Sequence, residues 1–128
     1  MENMAQNKKA VAIIGMAGKM PQANDLQTFW SNIQRGKDGV TEIPKNRWDW
    51  RAYFGDGGCN HSKWGGFISD VDQFDASFFG IPPKEAEFID PQHRLFLETS
   101  WHTLEDAGYR PSELSGKRIS VFVGVSTQ

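Results

Sequence analysis

Apolar residues follow two kinds of spacing along this chain. Val11 to Met16 is a continuous apolar run, which suits a strand covered on both faces. Near the other end, Ile119, Val121, Val123 and Val125 alternate with Ser120, Phe122 and Gly124. That pattern predicts a second strand, apolar on one face and largely apolar on the other. Between the two runs the spacing turns helical. Leu26, Phe29, Trp30 and Ile33 fall at i, i+3, i+4 and i+7 and form one stripe. A helix is predicted from Asn24 to Arg35, with Asn24 as N-cap, Gln27 completing a capping box, and Gly36 in the left-handed position after the last turn. Asp90-Pro91 reads as an N-cap followed by proline at the first helical position. The helix it opens runs to about Ala107, where Gly108 ends it. Phe96, Leu97, Trp101, Leu104 and Ala107 share roughly 140° of its arc at 100° per residue.

The connecting segments are less regular. Gly15, Gly18 and Pro21 break the pattern after the first run. Gly36 to Phe67 reads as a long irregular stretch, with Gly55, Gly57, Gly58, Gly65 and Gly66 among Trp48, Trp50, Tyr53, Phe54 and Trp64. A loop of that length and aromatic content packs on a core or on a partner. Val71, Phe74, Phe78 and Phe79 form a further apolar patch. Pro82 and Pro83 open a short helix to Ile89, and Ser112 to Lys117 is a turn region. Met1 to Ala10 is a flexible polar start, so the organised part spans residues 11–128. Strand, helix, long loop, helices and strand in that order predict an α/β fold. Two strands cannot bury both faces of each other, and a two-stranded sheet is marginal. The chain therefore reads as the opening portion of a larger fold.

Composition narrows the function classes. Of 128 residues, 38% are hydrophobic and 12% aromatic, which excludes wholesale disorder. The 14 basic and 16 acidic residues leave a net charge of −2 and no electrostatic footprint for nucleic acid. No apolar run is long enough for a membrane span or a signal peptide. Cys59 has no cysteine to pair with and fits a reducing compartment. The expectation is a soluble, cytoplasmic chain.

Candidate chemistry fails on spacing. Gly15-Met-Ala-Gly18-Lys19 follows a predicted strand, but a phosphate-binding loop needs four residues between its glycines and Ser or Thr after the lysine. Asp70, Asp72 and Asp75 begin like a calcium loop, yet Phe74 and Asp75 occupy its fifth and sixth positions. Cys59, His61, His93 and His102 lack the paired short spacings of a zinc site. Nothing near Cys59 activates it, so a Cys59–His61 nucleophilic pair is disfavoured. Asp90 is a cap, and Arg94 a structural partner for a nearby carboxylate.

At Asp90-Pro-Gln-His-Arg-Leu-Phe-Leu-Glu98 the chain resembles the β-ketoacyl synthase (ketosynthase) domains of modular type I polyketide synthases. Further segments follow in that family's order. They are Val11–Met16, Asp38–Pro44, Arg47–Trp50, Ser62–Phe67, Phe74–Gly80, Glu105–Tyr109 and Val121–Val125. The Trp-rich loop is similar to the subgroup whose acyltransferase acts in trans. Gly18-Lys-Met-Pro-Gln22 departs from the family's usual Arg-Phe-Pro-Gly. Lys19 there keeps the charge without the guanidinium fork, and Gln22 loses glycine's freedom at positive φ.

The resemblance implies the N-terminal portion of a thiolase-like fold, incomplete in this chain, in a domain that dimerises. It implies decarboxylative Claisen condensation between a cysteine-bound acyl chain and a malonyl-type extender, both delivered on the phosphopantetheine of an acyl carrier protein. In that family the nucleophilic cysteine and both catalytic histidines lie beyond the last strand seen here. Cys59, His61, His93 and His102 do not match them. The resemblance thus implies no catalytic residue in this chain, and spacing, charge and the short apolar runs argue for no cofactor-binding or metal-binding residue, no nucleic acid and no membrane. Gly15, Gly36, Asp90, Arg94 and Gly108 are its structural positions. A competing expectation is a non-catalytic module that docks a carrier protein or another protein through the Trp-rich loop.

Overall fold

The computed structural model describes residues 10–52 and 62–126. Their elements, in order, are α1 (Leu26–Gln34), β1 (Val40–Glu42), a 3-10 turn (Trp50–Ala52), β2 (Trp64–Gly66), α2 (Pro83–Ala86), α3 (Pro91–Asp106) and α4 (Pro111–Leu114).

Before α1, Met20 and Ala23 exchange backbone hydrogen bonds of 2.8 and 2.9 Å, which close a tight turn. Ala23 is the single buried apolar residue among those described. Asn24 lies one residue before the capping position, so the expectation that Asn24 caps this helix is corrected. The cap is Asp25. Its carboxylate accepts from the Thr28 N–H at 2.7 Å and from the Thr28 hydroxyl at 2.9 Å. One residue thus supplies both donors, and the charge also suits the positive end of the helix. At the far end Gly36 has φ +62°. Gly36 N–H donates to Ile33 and Lys37 N–H to Asn32, at 3.0 and 2.9 Å, a Schellman closure.

The stretch expected to be irregular contains a small sheet. β1 and β2 pair antiparallel, with Val40 opposite Gly66, Thr41 opposite Gly65 and Glu42 opposite Trp64. Strands of three residues are too short to show alternation. Gly66 permits close packing, since a Cβ there would lie 2.7 Å from Pro21 Cγ.

α3 is framed as its sequence predicts. Pro91 takes the first helical position, and the Asp90 carboxylate accepts from the Gln92 N–H at 2.7 Å. Gly108, at φ +72°, ends it. Gly108 N–H donates to Glu105 and Tyr109 N–H to Leu104, repeating the Schellman closure of α1. Phe78 meets Trp101 of α3 edge to face at 4.7 Å, and Phe79 stacks on Phe74 at 5.2 Å. The Phe74–Phe79 patch is thereby seated on the helix. α2 stops at Ala86, and single turns carry the chain to Ile89. Within the segment read as a turn, α4 forms one helical turn.

The two apolar runs need correction as strands. Neither 11–16 nor 119–125 forms a ladder with any described residue. Their side chains face solvent, Val11 being 91% and Phe122 93% exposed. A strand exists through its partner's hydrogen bonds, and the described residues supply none to these runs.

Candidate functional site

Residues 15–19 lie along α3 and form a seam with it. At Gly15 the backbone comes so close that a Cβ would sit 2.5 Å from the Thr103 carbonyl oxygen and 2.8 Å from Ala107 Cβ. Glycine is required there by approach. The next N–H, of Met16, donates to Asp106 Oδ2 at 2.8 Å. Lys19 Nζ then meets Glu98 Oε2 at 2.7 Å, with both side chains largely buried. Glu98 and Asp106 are two helical turns apart and so share one face of α3. This places two carboxylates where they hold an extended segment across the helix.

The turn that follows contains Gln22 at φ +59°. The glycine-like backbone is kept without the glycine. The Gln22 carbonyl accepts from Asn32 Nδ2 at 3.0 Å, and its side-chain amide donates to the Asp38 carbonyl at 3.3 Å. These bonds tie the turn to α1 and to the start of β1.

A groove of about 550 Å³ opens beside the seam, lined by Gly18, Lys19, Asp25, Thr99, His102 and Asp106 among others. Among its described lining residues no hydroxyl or thiol is hydrogen-bonded to a base. Nδ1 of the exposed His102 lies 3.0 Å from Glu105 Oε2. Hydrogen bonds from His102 first and Trp101 second hold the Glu105 carboxyl below its ordinary range. The Thr28 N–H and hydroxyl do the same for Asp25.

The other candidates fall apart in space. Among the described residues no three His, Cys, Asp or Glu side chains gather to hold a metal ion. Asp75 instead accepts from the Phe78 N–H at 2.9 Å, capping a turn. Gly15, the first glycine of the phosphate-loop candidate, is packed against α3. Cys59 and His61 lie outside the described residues. No described helix is long and apolar enough to cross a membrane. His93 is exposed. Arg94, expected beside a carboxylate, forms no ion pair with any described residue, and its Nε is buried without an acceptor. Sequence spacing assigns no role to Asp25, Glu98 or Asp106. Only the eight-residue spacing of the last two could have drawn attention to them.

The seam, the two capped helices and the unladdered runs together describe a framework. Residues 8–128 match the family model for the β-ketoacyl synthase N-terminal domain. The chain belongs to that family. It is 52% identical over 120 residues to polyketide synthase PksM of Bacillus subtilis (strain 168), an alignment covering 90% of this chain and 3% of that protein. To polyketide synthase ThaG of Burkholderia thailandensis it is 50% identical over 125 residues, covering 94% and 2%. Among solved structures it is similar to the oxazolomycin ketosynthase domain OzmH KS7 of Streptomyces albus JA3453. The TM-score is 0.73 at 47% identity, over 80% of this chain and 19% of that one. The ketosynthase from module 6 of the bacillaene synthase of Bacillus subtilis 168 also gives 0.73, at 40% identity over 80% and 18%. The architecture is therefore the N-terminal portion of the thiolase-like ketosynthase fold, and the chain spans a small part of the proteins it matches.

Proposed function

We propose that this chain is the N-terminal segment of a polyketide-type ketosynthase domain, supplying framework to an active site completed by other residues of that domain. The observation that carries the reading is the family match across residues 8–128. The unladdered runs 11–16 and 119–125 add to it, because each lacks, among the described residues, the neighbours an inner strand requires. In the complete domain an acyl group passes from the phosphopantetheine thiol of a carrier protein to an active-site cysteine. A carrier-bound malonyl-type extender loses CO₂, and the resulting carbanion attacks the thioester carbonyl and expels the cysteine thiolate. The catalytic cysteine and histidines come from outside residues 1–128, and the chain alone is inactive. The domain binds no cofactor of its own, dimerises, and works in the cytoplasm.

Acyl transfer from a carrier thioester tests this. The complete domain should be acylated and should condense an extender, whereas residues 1–128 alone should do neither. Stable, stoichiometric acylation of Cys59 in the isolated chain, abolished by Cys59→Ala, would overturn the reading.

A further inference from the structure

Arg94 is the one ionisable side chain among the described residues with a buried polar atom that nothing satisfies. Its Nε is shut off from water and meets no acceptor. The acids best placed to pair with it are both engaged. Asp90, four residues before, spends its carboxylate on the Gln92 N–H. Glu98, four residues after, is bound to Lys19 at 2.7 Å. These are the two neighbours that helical geometry offers to Arg94. A guanidinium cannot shed its charge as a buried lysine or histidine does. Its place one turn into α3 adds to the cost, since the positive end of the helix repels a cation. The side chain is only partly buried, so a group from elsewhere can reach it.

We infer that Arg94 is the docking cation for a carboxylate side chain contributed by the part of the ketosynthase domain that lies beyond residues 10–126. A main-chain carbonyl would satisfy a donor but leave the charge uncompensated. A carboxylate answers both, and its planar pair of oxygens matches the guanidinium fork. Arg94 thus pins the start of α3 to the remainder of the domain, as Asp106 and Glu98 pin its later turns to residues 15–19.

The inference rests on the proposed function, in that a larger domain must exist to supply the acid. The test is a melting series on the complete domain, which is read without reference to turnover. Failure of condensation therefore strikes the proposed function and leaves the Arg94 result standing. Arg94→Met keeps the stem, removes the cation and abandons the partner acid, so the melting temperature should fall by several degrees. Arg94→Lys should recover part of the loss. In the Arg94→Met background, neutralising Asp56 and each Asp and Glu outside residues 10–126 in turn should expose one position outside 10–126 that restores the melting temperature; restoration by Asp56→Asn would overturn the inference. Arg94→Met that melts at or above the parent would overturn the inference, because an unpartnered arginine gains by replacement with an apolar side chain. A loss that no acid-to-amide change repairs would assign the acceptor to a main-chain carbonyl and overturn it equally.

Discussion

Residues 20–38 and residues 119–126 sit in one chain under opposite conditions. In the first, each local demand is met by something close in sequence. Asp25 serves the N-terminus of α1, Gly36 and Lys37 serve its C-terminus, and Asn32 and Asp38 hold the Gln22 turn. In the second, a strongly apolar run has no ladder among the described residues, and Phe122 is 93% exposed. Local chemistry builds caps and turns wherever they occur. Strands depend on distant segments, and their stability belongs to the whole sheet.

The sharpest way to break this contrast is at Gly15, where the first apolar run meets the self-satisfied part of the chain. Gly15→Ala would force a Cβ to within 2.5 Å of the Thr103 carbonyl. We expect a loss of about 3 kcal/mol in the complete domain, read from the denaturant midpoint. An unchanged midpoint would mean that the run does not lie on α3 there.

Asp90→Ala removes the cap of α3 and should cost about 1 kcal/mol by the same measurement. Activity per folded molecule should be unchanged, since among the described residues the carboxylate serves only the Gln92 N–H. A large fall in rate at constant stability would assign Asp90 a different role.

Gln22→Gly should move stability the other way. Relief of the left-handed backbone at φ +59° is worth about 1 kcal/mol, and glycine's freedom in the unfolded chain returns part of it. The net expectation is a gain of about 0.5 kcal/mol. A loss would show that the Gln22 amide bond to Asp38 outweighs the strain.

The smallest effect concerns pH. Thr28 holds the Asp25 carboxyl below its ordinary range. The folded state therefore binds this proton less readily than the unfolded one. The cap contributes fully above the ordinary carboxylate range and fades as pH falls through the depressed value. Asp25→Asn should remove that part of the acid-side dependence of melting, and an identical acid limb in the variant would contradict it.

How much was legible follows from the same contrast. Asp90-Pro91, Gly36 and Gly108 act through bonds to residues within a few positions, so sequence shows them directly. The family resemblance was equally legible, because its segments stand in order. Helical spacing points to Asn24 where the cap is Asp25, because the Met20–Ala23 turn, which sets the entry to α1, leaves no mark on that spacing. β1 and β2 were missed because three-residue strands hold too few positions to show a period. The seam of Gly15, Met16 and Lys19 on Glu98 and Asp106 joins residues 79 and 90 positions apart, a distance over which spacing says nothing. A continuous run at 11–16 and alternation at 119–125 mark these segments as strands, and such patterns report where a strand belongs. Pairing depends on neighbours that the described residues do not contain.

Hydrogen exchange of the Val121–Val125 amides in the complete domain tests the central claim most directly. If these residues form an inner strand whose partners come from the rest of the ketosynthase fold, their amides should be among the slowest in the domain. The same amides in the isolated chain, which should bind a hydrophobic dye strongly, should exchange at nearly unprotected rates. Fast exchange in the complete domain, or strong protection in a monodisperse, dye-free chain of residues 1–128, would contradict the account.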